Sequence, residues 1–155
     1  MKIRKYNSLL MIYIAGDKHG FKAIKIIEDY LESNHIAYMN VGVKEEREDA
    51  SLEEIIPKVV RGVLAGKDNF GILTCGTGIG VEIGANKFSG IRACLACDEE
   101  IAEWSKKYDN CNVLCLAGWR ANRGKTKKIL DAWFLTKYDG DAKRSKMFEI
   151  FDTWH

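Results

Sequence analysis

GILTCGTGIGVEIGANK, residues 71–87, passes from an apolar run into a loop holding three glycines and a threonine, and then into a helical pattern. In a parallel sheet, the residues just beyond a strand line the ligand crevice. Gly76, Gly78 and Gly80 let the backbone turn N–H groups inward, which makes an anion nest. That anion need not be a phosphate. It can be an oxygen on which charge develops during reaction. Cys75 at the rim puts a sulfur where it can take a proton from carbon, and the Thr77 hydroxyl both donates and accepts, which suits moving a proton between neighbouring oxygens. Nucleotide loops do not fit. A G-x-G-x-x-G pattern needs glycine at 81 or 83, where Val81 and Ile83 stand, and no G-K-[ST] follows.

Outward from this stretch, apolar runs and amphipathic stretches alternate. LLMIYIAG, IAYMNVG, FGILTC, IRACLAC and NVLCLAG read as strands. Between and after them, 20–33, 52–65, 79–88, 98–107, 123–136 and 143–153 read as helices. The order predicts an open, mainly parallel five-stranded sheet with helices on both faces, an α/β doubly wound domain with a C-terminal helix. KEEREDASLEE, from Lys44 to Glu54, reads as a solvated loop and a helix start. Pro57 falls inside an otherwise helical pattern.

The chain has 155 residues, 24 basic and 22 acidic side chains, and a formal charge of +2. This is enough for one sizeable core. So small a net charge makes no case for a nucleic-acid or membrane-surface partner. No run approaches the roughly 20 apolar residues that span a bilayer, so the expectation is a cytoplasmic protein. Met11 is a plausible alternative start; residues 1–10 are read as an extension, and 11–155 as one domain.

Cys75, Cys94, Cys97, Cys111 and Cys115 are not a secreted disulfide framework. The last four space as C-x2-C and C-x3-C, which invites comparison with zinc sites. However, an odd offset along a strand-like run puts side chains on opposite faces, and no glycine knuckles are present. These cysteines read as buried small hydrophobes, with no metal and no cofactor expected. Trp104, Trp133 and Trp154 read as helical core or interface residues. Trp119 stands in a strand-end loop where it can line a pocket. Asn86, Lys87 and Arg92 read as structural, and His35 as a surface turn residue.

CGTGIGVEIGANKFSGIRAC, with AGDKHGF and NVLCLAGWR, resembles the ribose-5-phosphate isomerase B family, which includes the galactose-6-phosphate isomerase subunits. The resemblance covers nearly everything from Met11 onward. It implies a Rossmann-like three-layer α/β/α fold, no metal, and a homodimer or dimer of dimers with active sites between subunits. It implies a phosphorylated sugar as substrate, interconverted between aldose and ketose through an enediolate, ribose 5-phosphate being the nearest case. Cys75 then matches the base between C1 and C2, and Thr77 the group that relocates the oxygen proton. The amides of Gly76, Gly78, Ile79 and Gly80 match the hole for the enediolate oxygen. Asp17 matches a contact to substrate hydroxyls, with Lys18 and His19 beside it, and Arg120 matches a phosphate contact. Where relatives carry a glutamate base, this chain has Val81, and Glu82 is one residue out of register.

Departures from the family pattern concern the rest of the site. Asp17-Lys18-His19-Gly20 stands in place of D-H-x-G, and a lysine there is similar to the galactose-6-phosphate isomerase A subunit. Tyr108-Asp109 stands where the family has the ring-opening histidine and an asparagine, and a phenol is a poor general acid–base near neutrality. The arginine clamp of the last helix is replaced by Ala142 and Lys146, leaving Lys143, Arg144 and Lys146 to supply charge without the same bidentate forks. Asp49-Ala50-Ser51 replaces D-Y-P. A substrate that needs no ring opening, such as a tetrose 4-phosphate, fits these changes. A hexose 6-phosphate isomerase, an A-like subunit without activity of its own, and a sugar-phosphate sensor are the alternatives.

Overall fold

The computed structural model describes residues 10–154. Most of the proposed extension, residues 1–9, and the terminal His155 lie outside them. Leu10, the last residue of that extension, is buried in the core.

Five strands, β1 (Ile12–Gly16), β2 (Tyr38–Asn40), β3 (Phe70–Cys75), β4 (Ala93–Leu95) and β5 (Val113–Ala117), form one sheet in the order β2-β1-β3-β5-β4. Every pairing is parallel, for example Leu73 with Cys115 and Cys94 with Leu114. The helices are α1 (Phe21–Ser33), α2 (Leu52–Leu64), α3 (Ile79–Ala85), α4 (Glu99–Lys107), α5 (Arg123–Leu135) and α6 (Ala142–Phe151).

Both faces of the sheet are buried, and strand alternation assigns the two cores. Ile12, Ile14, Ile72, Leu114 and Leu116 face α1, α4 and α5, where Ile24, Ile27, Leu130 and Trp133 meet them. Ala15, Leu73, Val113 and Cys115 face α2 and α3, against Ile55, Val59, Val63 and Val81. The three-layer arrangement expected from the resemblance is therefore present. Trp133 is a core residue, whereas Trp104 and Trp154 are exposed, and Trp154 lies beyond the end of α6.

Local sequence explains where the helices start. Ser51 and Glu54 form a capping box at α2, so the charged stretch before it is a loop and a cap. Asp98, Asn122 and Asp141 accept the N–H groups of Ile101, Lys125 and Arg144 at the starts of α4, α5 and α6. In α4, Glu99 and Glu100 in the first turn and Lys107 in the last complement the helix dipole.

The chain order places the crevices. From β1 the chain moves outward to β2 and then returns to β3 on the other side of β1. The loops after β1 and β3 therefore diverge, and ligands bind at such reversals. A second reversal puts β4 at the edge and β5 between β3 and β4.

Lys106 is buried beneath this framework. Its Nζ lies 3.4 Å from the centroid of the Phe70 ring and 4.3 Å from that of Trp133, and it donates to the Cys111 carbonyl at 3.1 Å. Burial lowers its ammonium from 10.5 to about 7. Between those values the unfolded chain holds a proton that the folded chain has released, so folding becomes more favourable as pH rises through the window. Below it this group adds no further pH dependence. In urea titrations, wild-type protein should gain stability relative to Lys106→Met between about pH 7 and about pH 10.5. A constant difference across that range would refute the assignment.

Candidate functional site

Cys75 ends β3 at the carboxyl edge of the sheet. Its side chain is only 6% exposed, yet the sulfur faces the glycine loop, because the Gly78 N–H donates to Sγ at 3.2 Å. This turn requires Gly78. Its φ is 76°, and a Cβ there would fall 2.5 Å from Leu95 Cδ1 and 2.9 Å from the Leu116 carbonyl carbon. Thr77 is exposed, and its Oγ1 accepts the Ile79 N–H at 3.2 Å. Two of the four amides assigned to the oxyanion hole are thus turned onto the sulfur and the hydroxyl themselves.

The loops after β1 and β5 close on this turn. Asp17 Oδ1 accepts the Gly20 N–H at 2.8 Å, which folds the loop back at the end of β1. Buried Thr74 donates its hydroxyl to the Gly20 carbonyl at 3.1 Å, tying that loop to β3. The Trp119 N–H donates to the Gly76 carbonyl at 3.0 Å, tying in the short 3-10 turn Gly118–Arg120. His19 meets the Trp119 ring edge-on, with centroids 5.7 Å apart. Lys18 pairs with Asp49 at 3.0 Å, both exposed, so a residue from the altered stretch before α2 stands at the rim. Arg120 is exposed at the end of this turn, near Lys125 and Cys97.

These contacts bring Asp17, Lys18, His19, Cys75, Gly76, Thr77, Gly78, Ile79, Gly80 and Arg120 to one edge of the sheet. The other predicted residues are not there. Tyr108 and Asp109 precede β5, so in a parallel sheet they lie at the opposite edge from Cys75. Arg144 joins them there, with its guanidinium 5.4 Å from the Tyr108 ring centroid and an ion pair to Asp139. Lys143 and Lys146 are exposed on the same helix. Asp109 lines a separate cavity of about 560 Å³ with Glu82, Cys94, Trp104, Phe151 and Trp154. Within one chain the predicted residues therefore fall into two groups, because strand polarity separates residues that follow strands from residues that precede them.

Glu82 does not approach the sulfur; Oε1 accepts the Leu95 N–H at 2.8 Å, holding β4. Asn86 likewise pairs with β4, through both the N–H and the carbonyl of Ala93. Arg92 donates to the Asn110 carbonyl and lies over Phe148. Sequence reasoning missed Thr74, although a hydroxyl inside the apolar run ILTC was its available signal. Trp119, read from its strand-end loop as able to line a pocket, stands exposed beside the glycine loop.

The four remaining cysteines do not converge on one point. Cys94 shares its face with Leu114, toward α4 and α5, whereas Cys115 faces α2 and α3 and its thiol is pushed well up by burial. Cys97 is exposed beyond β4. Cys94 and Cys111 line the same cavity, and the interaction between them lowers the first thiol and raises the second. Among the described residues, no group of three or more His, Cys, Asp or Glu is arranged to hold a metal ion. No described helix is long and apolar enough to cross a membrane.

A parallel three-layer fold with a thiol, a hydroxyl and turned amides at its strand-order reversal defines a small-molecule site of the doubly wound α/β class. Residues 12–150 match the family described as Ribose/Galactose Isomerase, and the chain belongs to that family. It is 30% identical over 140 residues to a probable ribose-5-phosphate isomerase B from Mycoplasma genitalium, covering 90% of this chain and 92% of that one. It is 29% identical over 142 residues to a D-erythrulose-4-phosphate isomerase from Pectobacterium atrosepticum, covering 92% and 93%. The structure of the Mycoplasma genitalium ribose-5-phosphate isomerase B with bound ribulose-5-phosphate superposes with a TM-score of 0.85 at 29% identity, covering 94% and 96%.

The left-handed turn at Gly78 has a measurable cost when altered. Gly78→Ala should lose roughly 1–3 kcal/mol of folding stability in urea titrations. Gly124→Ala, in the first turn of α5 where only Asn122 Oδ1 lies within 4 Å of a new Cβ, should lose much less.

Proposed function

We propose that this chain is an aldose–ketose isomerase of a phosphorylated sugar, with Cys75 as the base. The observation that carries the reading is the Gly78 amide turned onto Cys75 Sγ at the sheet's ligand-binding edge, next to an exposed Thr77 hydroxyl. In the forward direction, Sγ takes the proton from C2 of the open-chain aldose and an enediolate forms. The same sulfur returns the proton to C1, while a hydroxyl proton moves from O2 to O1. No oxidant or cofactor enters the balance. Thr77 suits the second transfer, since one Oγ1 lone pair already takes the Ile79 amide and its own O–H is left for substrate. Asp17 and His19 face the sugar hydroxyls, with Lys18 at the rim, and Arg120 the phosphate. The assigned amides not turned onto the sulfur and the hydroxyl, those of Gly76 and Gly80, stabilise the charge that develops on oxygen.

Tyr108, Asp109, Lys143, Arg144 and Lys146 complete the site only from a second copy. A homodimer in which the α4–α6 side of one subunit covers the carboxyl end of β3 in the other joins the two halves. Apolar side chains left exposed on α3, α4 and the α6 end, among them Ile79, Ile83, Trp104, Phe151 and Trp154, favour such an interface. Ribose 5-phosphate and ribulose 5-phosphate are the nearest substrate pair, given the relatives named for them. A four-carbon substrate is the second reading, favoured by Tyr108 at the ring-opening position. A tetrose 4-phosphate cannot close a furanose, so it needs no acid–base group there.

Aldose and ketose phosphates of four to six carbons, followed by NMR in deuterated water, should show label entering C1 or C2 of at least one. Cys75→Ala should lower that exchange by about 10²–10⁴-fold, while Cys97→Ala leaves it intact. A protein that binds these sugars without admitting deuterium is a sensor, and the isomerase reading fails.

Pairing of copies has its own test. Cys75→Ala and Arg144→Ala subunits, each weakly active alone, should regain activity when co-expressed, because one site of each mixed dimer is intact. No recovery in verified mixed dimers would show that Arg144 does not serve the partner's Cys75.

A further inference from the structure

Trp119 is a large apolar side chain left 68% exposed at the carboxyl edge of the sheet, beside the glycine loop. Its main chain is pinned on two sides. The Trp119 N–H is bonded to the Gly76 carbonyl, and Gly118 sits so close to the β1 loop that a Cβ there would fall 2.2 Å from the His19 carbonyl oxygen. The indole lies directly on Gly76, since a Cβ on that residue would meet Cε2 at 2.5 Å and Cζ2 at 2.6 Å. The His19 imidazole abuts it at an interplanar angle of 77°. The ring therefore stands as a wall between the loop after β1 and the loop after β3.

Arg120 leaves the same 3-10 turn one residue later. A sugar phosphate with its reacting carbons at Cys75 and its phosphate at Arg120 must run its carbon chain past this indole. An aromatic wall there offers a packing surface for the C–H bonds of the chain. It also fills space that further CHOH units would need.

We propose that Trp119 sets substrate length, favouring the shortest phosphorylated aldose that joins Cys75 to Arg120. This rests on the isomerase reading above. One carbon more or less against a pocket wall changes kcat/KM by roughly 10–200-fold.

The test compares kcat/KM for four-, five- and six-carbon aldose phosphates in wild type, Trp119→Phe and Trp119→Ala. Relative to wild type, Trp119→Ala should shift the four- to six-carbon ratio toward the longer sugar by about tenfold or more, mainly through KM. Trp119→Phe should fall between, and carries the comparison if the alanine variant does not fold. A ratio within about twofold of wild type in both variants, or equal losses on every sugar, overturns the role of Trp119 while leaving isomerisation intact. Wild-type protein that turns over none of the sugars overturns the isomerase reading, and this inference with it.

Discussion

The left-handed turn at Gly78 is the constraint on which the rest of the site depends. It reverses the backbone immediately after β3, brings an amide within 3.2 Å of Cys75 Sγ and starts α3 in the same step. A side chain at this position would strike Leu95 and the backbone of β5. Sulfur, amide and helix are therefore one geometric unit. The neighbouring loops are fastened to the same unit by Thr74, which holds Gly20, and by Trp119, whose N–H holds the Gly76 carbonyl.

Strand polarity shapes the site as strongly as the turn does. In an all-parallel sheet, residues that follow strands and residues that precede them are separated by the length of the strand. Cys75, Asp17 and Arg120 follow strands, whereas Tyr108 and Asp109 precede one, and Arg144 is packed beside them. A single copy thus presents the two groups of predicted residues at opposite edges. Bringing them together by pairing two copies, as we propose, uses the polarity instead of working against it.

Substrate choice in this reading rests on two aromatic residues with different tasks. Tyr108 is the C-terminal cap of α4, held among Lys107 and Arg144, where a phenol stands in place of the family's histidine. Trp119 stands at the opposite edge as a fixed surface against the glycine loop. One limits the chemistry available to a closed ring, and the other limits the room along the carbon chain.

Residue order alone determined the alternation of strands and helices, both sheet faces as apolar, and the glycine loop at Cys75 as the candidate site. These are local properties: period-two burial, capping residues such as Ser51 and Asp98, and glycines that only a tight turn requires. The motif resemblance added the family, which residues 12–150 bear out. Tertiary structure alone decided that β5 lies between β3 and β4, that Glu82 serves β4 and not the sulfur, and that Tyr108 and Arg144 lie across the sheet from Cys75. Strand order and edge depend on which surfaces meet after collapse, a contact between distant segments that no local spacing records.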